Sequence, residues 1–342
     1  MIHRSLRFLF VRFAPILLAS LTAACRPAEP SVVVYTSLDA AFSEPILDEF
    51  TARTGIKVLA VTDTEAQKTT GLAGRLIAER GRPRCDVYWN NEIVQTVRLK
   101  QEGLFEPYFS PSAETIPARW KDPEGEWTGF AARARVIAFN TDLVALSEVP
   151  RTLTDLNEPQ WKGRVGIAFP IFGTTATHAA TIFAMWGELR AESFFNALKR
   201  NEARVYDGNM SAARAVADGE IALCLTDTDD VNVLALQGKP IGRVLIDHYE
   251  AGGLMIPNTI SLVRRAPNPD NARKLIDYLL SPEVEMTLAA SPSAQIPLHA
   301  GAQAPEAVRD LAEGPFLQAD FALAAAELAR RADWLAETFA RN

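Results

Sequence analysis

Cysteine is scarce in this chain, with three among 342 residues. Once Cys25 is set aside as part of an N-terminal leader, Cys85 and Cys224 remain, each at or near an apolar stretch typical of a strand. A cysteine in that setting usually packs as a small hydrophobic residue. Spacing alone does not establish a disulfide, so we predict two free, buried thiols.

Basic residues are also fewer than acidic ones, 35 against 42. The formal charge is −7, and it becomes −10 when residues 1–24 are removed, because they carry three arginines and no acid. An acidic body argues against nucleic acid or an anionic membrane surface as a partner. The hydrophobic content of 48% is enough to bury a substantial core, which excludes a disordered chain.

The apolar run near the N-terminus, "FAPILLASLTAA" (13–24), is too short to span a bilayer. Basic residues precede it, as in a secretory leader. The run ends in "LTAAC", which resembles the lipobox of bacterial lipoproteins, although Thr22 stands where that pattern prefers a branched apolar residue. We predict lipidation at Cys25, with residues 26–30 as a tether; an ordinary leader cleaved near Ala24 is the alternative.

From residue 31, short β-rich runs alternate with helical ones, as in "VVVYTS" followed by "FSEPILDEFTART". This rhythm predicts mostly parallel sheets built of βαβ units. It resumes over 141–257, after the long extended run "WTGFAARARVIAFNTD". A second extended run, "MIPNTISLVRRA" (255–266), is followed only by helices. Two α/β bodies joined by two extended crossings predict a cleft between them.

The predicted fold is therefore α/β, with two lobes, each a mixed sheet flanked by helices, joined by two extended hinge crossings. The predicted boundaries are a signal peptide at 1–25, a tether at 26–30, the first part of lobe one at 31–138, lobe two at 139–257, and the return to lobe one with the C-terminal helices at 258–342.

Polar residues gather where the predicted strands end. In parallel α/β sheets, ligands bind outside the carboxyl ends of the strands, where helix N-termini offer unpaired N–H groups. This rule selects a set of ligand-binding candidates: Thr36, Ser37, Asp39, Glu65, Asn91, Glu92, Arg133, Thr174, Thr175, Asn209, Asp227, Thr228 and Asp229.

Two of these groups have a plain structural alternative. In "FGTTATH" (172–178), Gly173 permits a tight turn and the threonines can either cap a helix or donate to an anion. Arg133 and Arg135 share one face of a strand, where an arginine can hold a carboxylate or carbonate in bidentate fashion or form a salt bridge.

The stretch "TDTDD" (226–230) admits three interpretations. A calcium loop fails, because the required glycine and a further oxygen ligand are absent. Asp227 after a strand resembles the nucleophile of haloacid dehalogenases, but this motif normally opens that fold, and no later partners are evident. The third interpretation places Asp227 or Thr228 at a helix start, with Asp229 and Asp230 in the first turn, where the helix dipole favours acids.

Taken in order, the stretches "VVVYTSLD", "CDVYWNNE", "GEWTGFAARARVIAFNTD", "WKGRVGIAFP" and "GEIALCLTDTDD" resemble the periplasmic solute-binding proteins of ABC importers, in the branch that includes ferric-iron and phosphonate binders. The resemblance covers residues 31–300. It implies a monomeric, non-enzymatic clamp in the periplasm or at the cell surface, without a cofactor, that delivers a small solute to a membrane permease.

Within that branch, the iron ligands are a histidine, a carboxylate and a tyrosine pair. By resemblance the histidine position falls on Asp39, the carboxylate on Asn91 or Glu92, and the tyrosines near Thr228 and Asp229, so both tyrosines are absent. The resemblance therefore implies carboxylate ligands for a hard cation such as ferric iron, which we predict to be Asp39, Glu92, Asp227 and Asp229. An organophosphonate or another small organic anion is the alternative cargo, and an aspartyl-phosphate phosphatase is a remote one.

Overall fold

The computed structural model of the protein describes residues 29–62, 70–248, 251–312 and 314–340. The signal peptide with Cys25, most of the tether, and Glu65 lie outside the described residues. The strands are β1 (Ser31–Thr36), β2 (Lys57–Thr62), β3 (Val87–Asn90), β4 (Phe105–Glu106), β5 (Thr128–Asn140), β6 (Val165–Ala168), β7 (Arg204–Tyr206), β8 (Leu223–Asp227), β9 (Ile241–Leu245) and β10 (Met255–Val263).

Helices alternate with these strands. They are α1 (Ala40–Thr54), α2 (Thr70–Ala78), α3 (Val94–Gln101), α4 (Gly173–Trp186), α5 (Glu188–Arg200), α6 (Asn209–Ala217), α7 (Thr228–Leu236), α8 (Pro269–Leu279), α9 (Pro282–Ala290), α10 (Glu306–Ala312) and α11 (Phe321–Phe339). None of the described helices is both long and apolar enough to cross a membrane.

The strands form two mixed sheets, as the sequence predicts. In the first, β1 pairs in parallel with β2 and β3, while β10 runs antiparallel to β3, β4 and β5. In the second, β6 pairs in parallel with β7 and β8, while β5 runs antiparallel to β8 and β9. The parallel pairs are the βαβ units, and each of these antiparallel pairs involves β5 or β10.

Strand β5 belongs to both sheets. Its first half pairs with β10, as far as Ala134, and its second half pairs with β8 from Arg135 onward. The chain therefore changes lobe inside a continuous strand, and β10 begins at Met255, where the second extended run was predicted to begin. At this crossing Ala131 has a left-handed φ of 42°, and the β5–β10 register shifts between Ile256 and Asn258.

The helices after β10 pack in different places. Helices α8 and α9 pack in the core of the first lobe. In contrast, Leu335 and Phe339 of α11 belong to the core of the second lobe, while Ala324 and Leu328 pack between α3 and α4. A helix of 19 residues is about 28 Å long, enough for its apolar face to cover parts of both lobes.

The prediction of two free thiols is confirmed. Cys85 and Cys224 are both buried, and neither forms a disulfide. Burial raises the pKa of each thiol, so both stay protonated and act as small hydrophobic residues.

Candidate functional site

A cavity of about 70 Å³ lies between the two lobes. Asp39 after β1 and Asn91 after β3 line it from the first lobe, and Arg133 of β5 lines it from the crossing. The second lobe contributes Ala168, Phe169, Phe172, Gly173, Thr174, Asp207, Gly208, Asn209, Met210, Asp227, Asp229 and Asp230. A water needs about 10–15 Å³ of such cavity volume, so the cavity has room for an ion with a few small ligands.

Three carboxylates converge at the end of β8. Helix α7 begins at Thr228, with Asp227 as the preceding cap residue and Asp229 and Asp230 in its first turn. The interpretation of this stretch as a helix start is therefore right, although the Asp227 side chain makes no capping hydrogen bond. Oxygens of Asp227, Asp229 and Asp230 lie within 4.8 Å of one another, close enough to bind one metal ion.

The carboxylate of Asp227 is held by a buried polar network. Arg135, fully buried, donates from Nη1 to Asp227 Oδ1 at 2.9 Å. Asp227 Oδ2 accepts from the Thr174 hydroxyl and from Asn209 Nδ2 at 3.1 Å. Thr175 in turn donates to Asn209 Oδ1 at 2.7 Å. With both oxygens engaged, Asp227 is poorly suited to act as a phosphatase nucleophile and well suited to a fixed ligand position.

Behind Arg135 lies a pair of buried histidines. Arg135 Nε donates to His178 Nδ1 at 3.3 Å, which leaves the proton of His178 on Nε2, facing His248 Nε2 at 2.8 Å. The Nδ1 of His248 then donates to the Gly252 carbonyl at 3.1 Å. Burial lowers the pKa of His178, and it lowers the pKa of His248 to about 4, so both rings are neutral near pH 7.

Arg133 is the second buried arginine of the crossing, and it is incompletely paired. It is 2% exposed, its Nη1 donates to the Asn91 carbonyl at 2.9 Å, and its Nε lies 3.3 Å from Asp229 Oδ2. Its buried Nη2 has no hydrogen-bond partner among the described residues. Burial opposes the charge of Arg133, but the nearby carboxylates, led by Asp229, raise its pKa. The free donor of this side chain is available to a ligand in the cavity.

Two of the acids, Asp229 and Asp230, have raised pKa values. Burial raises the pKa of Asp229 to about 6, against the opposing effect of Arg133, and Asp227 raises it further. Burial, followed by repulsion from Asp229 and Asp227, raises the pKa of Asp230 well above its usual range. Carboxylates crowded in this way gain from a bound cation and destabilise the empty protein.

The replacement Asp230→Asn is therefore expected to stabilise the ligand-free protein. At pH 7.5 the melting temperature should rise by about 2 °C or more, because one buried negative charge and its repulsions are removed. The folded-state pKa values of both acids lie above the unfolded values, so their ionisation lowers the free energy of unfolding as the pH rises. The gain should accordingly shrink as the pH falls toward 4.

Thermal unfolding at several pH values measures this effect. The control is Asp270→Asn, since Asp270 is an exposed acid in the first turn of α8 beside Arg273. That change should give no gain or a small loss at pH 7.5. A lower melting temperature for Asp230→Asn at pH 7.5 would contradict the inference that repulsion among these buried carboxylates destabilises the protein.

Glu92, predicted as a metal ligand, does not line the cavity. Its carboxylate is 1% exposed and accepts hydrogen bonds from the backbone N–H groups of Val94 and Gln95 in the first turn of α3. It also accepts from Asn90 Nδ2 at 2.8 Å and, across the lobes, from Thr177 Oγ1 at 2.6 Å. The sequence suggested a ligand because Glu92 follows a strand, but the helix start behind that strand takes up its oxygens.

Other predicted site residues lie behind the cavity wall. Thr36 Oγ1 accepts from the backbone of Leu38, and the Thr228 hydroxyl accepts from the backbone of Ala134. The Ser37 hydroxyl shares its proton between Asn90 Oδ1 at 2.7 Å and Asn91 Oδ1 at 3.0 Å, and it accepts from the backbone N–H of Asn91 at 2.9 Å, so it orients a residue that does line the cavity. Thr175 has the same indirect position through Asn209. The predicted residues that line the cavity are Asp39, Asn91, Arg133, Thr174, Asn209, Asp227 and Asp229.

Several cavity residues were not among the predicted ones. Asp207 lies two residues before the predicted Asn209, and Asp230 directly follows the predicted Asp229, so both acids belong to strand ends that were visible in the sequence. Phe169 and Phe172 form an apolar wall, with ring centroids 5.7 Å apart. No sequence signal distinguishes these two aromatic rings from core residues.

Comparison with known proteins places these features in a family. The sequence model of one protein family, the bacterial extracellular solute-binding proteins, matches residues 95–324. The major ferric iron-binding protein of Neisseria meningitidis is 28% identical over 289 residues, covering 82% of this chain and 84% of that protein. Iron uptake protein A1 of Synechocystis is 28% identical over 298 residues, covering 83% and 80%.

The solved structures agree. Iron-bound HitA from Pseudomonas aeruginosa superposes with a TM-score of 0.78 at 25% identity, over 89% of this chain and 99% of that one. The two lobes, the strand β5 that they share and the cleft between them are the architecture of such binding proteins. The chain therefore belongs to the family of bacterial extracellular solute-binding proteins.

Proposed function

We propose that the protein is the extracytoplasmic binding component of an ABC importer and that it carries a hard cation, in the first place ferric iron, in its cleft. The observation that carries this proposal is the convergence of Asp227, Asp229 and Asp230 within 4.8 Å, in a cavity that Asp39 lines from the other lobe. Iron-binding relatives of similar length support the choice of cargo.

The charges around the cavity favour a cation. Five carboxylates line the cavity, those of Asp39, Asp207, Asp227, Asp229 and Asp230, and two buried arginines offset them only in part, which leaves an excess of negative charge. Carboxylate oxygens are hard ligands suited to hard cations. A cation held from both lobes is bound best in the closed arrangement, so binding shifts the population toward closure.

An anion bound together with the cation is favoured by a separate observation. The unpaired Nη2 of Arg133 and the start of α4 at Gly173 both border the cavity. Guanidinium and helix N-terminal donors together suit carbonate, phosphate or a phosphonate. The same groups support the second candidate function, in which the cargo is a small organophosphonate or another organic anion.

A thermal-shift screen of the chain from residue 26 onward tests the proposal. Ferric citrate, divalent metals, phosphate, phosphonates and small organic acids should each be added in excess, because a ligand of the folded state raises the melting temperature. Ferric citrate is expected to give the largest shift, and citrate alone little. A shift with phosphonates that Arg133→Met removes, without any shift with metals, would replace the first candidate by the second.

The colour of the iron-loaded protein is a further expected result. Among the described residues, no tyrosine lines the cavity. A ferric complex held by carboxylates should therefore lack the visible charge-transfer band that phenolate ligands give. Visible absorption of the loaded protein measures this, with the free ferric citrate complex as reference, and a strong visible band that develops on loading would contradict an all-carboxylate ligand set.

Export and anchoring complete the proposal. The basic start, the apolar run and Cys25 support a lipoprotein leader, which would tether a monomeric binding protein at the outer face of a membrane, in the periplasm or at the cell surface. Its partner there would be the permease of the importer. Mass spectrometry of the mature protein tests this: a diacylglyceryl group on Cys25 is expected, whereas an unmodified N-terminus near residue 25 would indicate an ordinary leader.

A further inference from the structure

A second cavity, of about 210 Å³, lies at the edge of the first sheet opposite to the ligand cleft. It is formed where α2 and α3 end, where β10 ends, and by the loop that precedes β3. Four exposed arginines line it, and we call it the arginine groove: Arg80, Arg84, Arg264 and Arg265. Arg82 is exposed beside it.

The positive charge of the groove is only partly neutralised. Two carboxylates, of Glu79 and Glu102, line the groove as well. Glu102 pairs with Arg80 at 3.1 Å, Glu79 pairs with Arg75 at 2.9 Å, and Glu126 pairs with Arg264 at 3.3 Å. Within the described part of the chain, Arg82 and Arg84 have no carboxylate at salt-bridge distance. The groove is therefore a local positive site on a protein whose net charge is negative.

The start of the folded chain lies at the same edge of the sheet. Strand β1 enters the first sheet here at Ser31, whereas Asp39, which lines the ligand cavity, follows its other end. Six residues of β1 separate the two edges by about 20 Å. An extended chain from Cys25 to Ser31 spans at most about 20 Å, so a lipid on Cys25 keeps this edge near the bilayer.

We infer that the arginine groove docks on anionic phospholipid headgroups, such as those of phosphatidylglycerol, next to the anchored end of the chain. The inference rests on the extracytoplasmic location and the Cys25 anchor proposed above. Guanidinium groups suit the phosphodiester of such a headgroup, and basic residues close to an anionic bilayer add to its binding. This contact orients the first lobe so that its cleft edge faces away from the lipid.

The negative net charge does not prevent this contact. At physiological ionic strength the interaction between exposed charges is screened beyond about 8 Å. Acids on the second lobe and around the cleft lie farther from the bilayer than that when the groove faces it. The expectation from net charge alone, that the protein avoids anionic membranes, therefore does not apply to this edge.

Vesicle co-sedimentation of the unlipidated chain from residue 26 tests the groove by itself. Vesicles of phosphatidylglycerol and phosphatidylcholine in equal parts should bind the chain at low salt, and vesicles of phosphatidylcholine alone should not. The variant R82E/R84E is expected to reduce the bound fraction about tenfold or more. The matched control K199E/R200E makes the same charge change at an exposed pair of basic residues at the end of α5, and it should have a small effect.

Each other outcome overturns the inference. Equal losses in the two variants would mean that net charge, rather than the groove, governs binding. Equal binding to both kinds of vesicle would exclude headgroup charge. Displacement by soluble glycerol phosphate at a concentration too low to screen charge would indicate a small-molecule site. A terbium(III) titration of the same samples tests the proposed cation site independently of membrane binding. Neither variant changes a residue of the cleft, so both should bind terbium(III) as the unchanged chain does.

Discussion

Replacement of both Asp229 and Asp230 by asparagine is expected to lower the affinity for terbium(III), a hard trivalent probe that remains soluble, by at least about a hundredfold. Both residues offer carboxylate oxygens within 4.8 Å of Asp227. Loss of groups that merely orient ligands typically costs 10- to 100-fold in metal affinity, so loss of two ligands should cost at least as much. Luminescence titration at pH 7 measures the dissociation constant.

The protein supplies a matched control for this double variant. Asp122, Glu124 and Glu126 form a second acidic cluster of the same size, but Lys100 already pairs with Asp122 at 2.5 Å and with Glu124 at 3.0 Å. The variant E124Q/E126Q should leave the affinity unchanged. Thermal unfolding of the double variant without terbium(III) checks that it is folded, since Asp229→Asn also removes the ion pair with Arg133. Equal losses in the two double variants would show that terbium(III) responds to overall charge rather than to the cleft.

Replacement of Arg135 by methionine is expected to lower the free energy of unfolding by about 3–5 kcal/mol, because it leaves Asp227 buried without its counter-charge. Arg135 is fully buried and also donates to Thr174, Thr175 and His178. Breaking a buried pair by removing one partner is far more costly than replacing both. Denaturant unfolding measures the change.

Two controls identify the cause of that loss. Arg53→Met removes an arginine from an exposed pair with Glu283, and it should change the free energy of unfolding little, because solvent screens the pair. R135M/D227L replaces both buried partners and should recover part of the stability without restoring cation binding. A cost for Arg135→Met near that of Arg53→Met would mean that the buried network contributes little.

The two arginines of β5 illustrate how one strand serves two roles. Their spacing of two residues places both side chains on one face. The guanidinium group of Arg135 is hydrogen-bonded to Asp227 and to the threonines of α4. Among the described residues, Nη2 of Arg133 has no such partner, and it remains available beside the cavity. Arg135 thus fixes the position of a candidate ligand, Asp227, whereas Arg133 can contact the cargo. The alternation of residues along the strand does not predict this difference.

The ends of the strands were a good guide to the cleft because parallel βαβ units bring their carboxyl ends to one edge. Asp39, Asn91, Asn209 and the acids after β8 could therefore be selected without coordinates. Glu92 shows the limit of the rule. Like the acids of the site, Glu92 carries a carboxylate and follows a strand. Its oxygens, however, accept hydrogen bonds from the backbone in the first turn of α3 and from Thr177.

The sequence by itself determined the two α/β lobes, the two extended crossings and the group of polar residues from which the site is drawn. These depend on periodicity and on residue type, which are local properties of the chain. Only the tertiary structure decided that α11 covers both lobes, that Asp227 pairs with Arg135, and that Arg133 keeps an unpaired donor. Those outcomes depend on which groups remain unsatisfied when distant segments pack together, and a hydrogen-bond partner some 90 residues away leaves no trace in the local pattern.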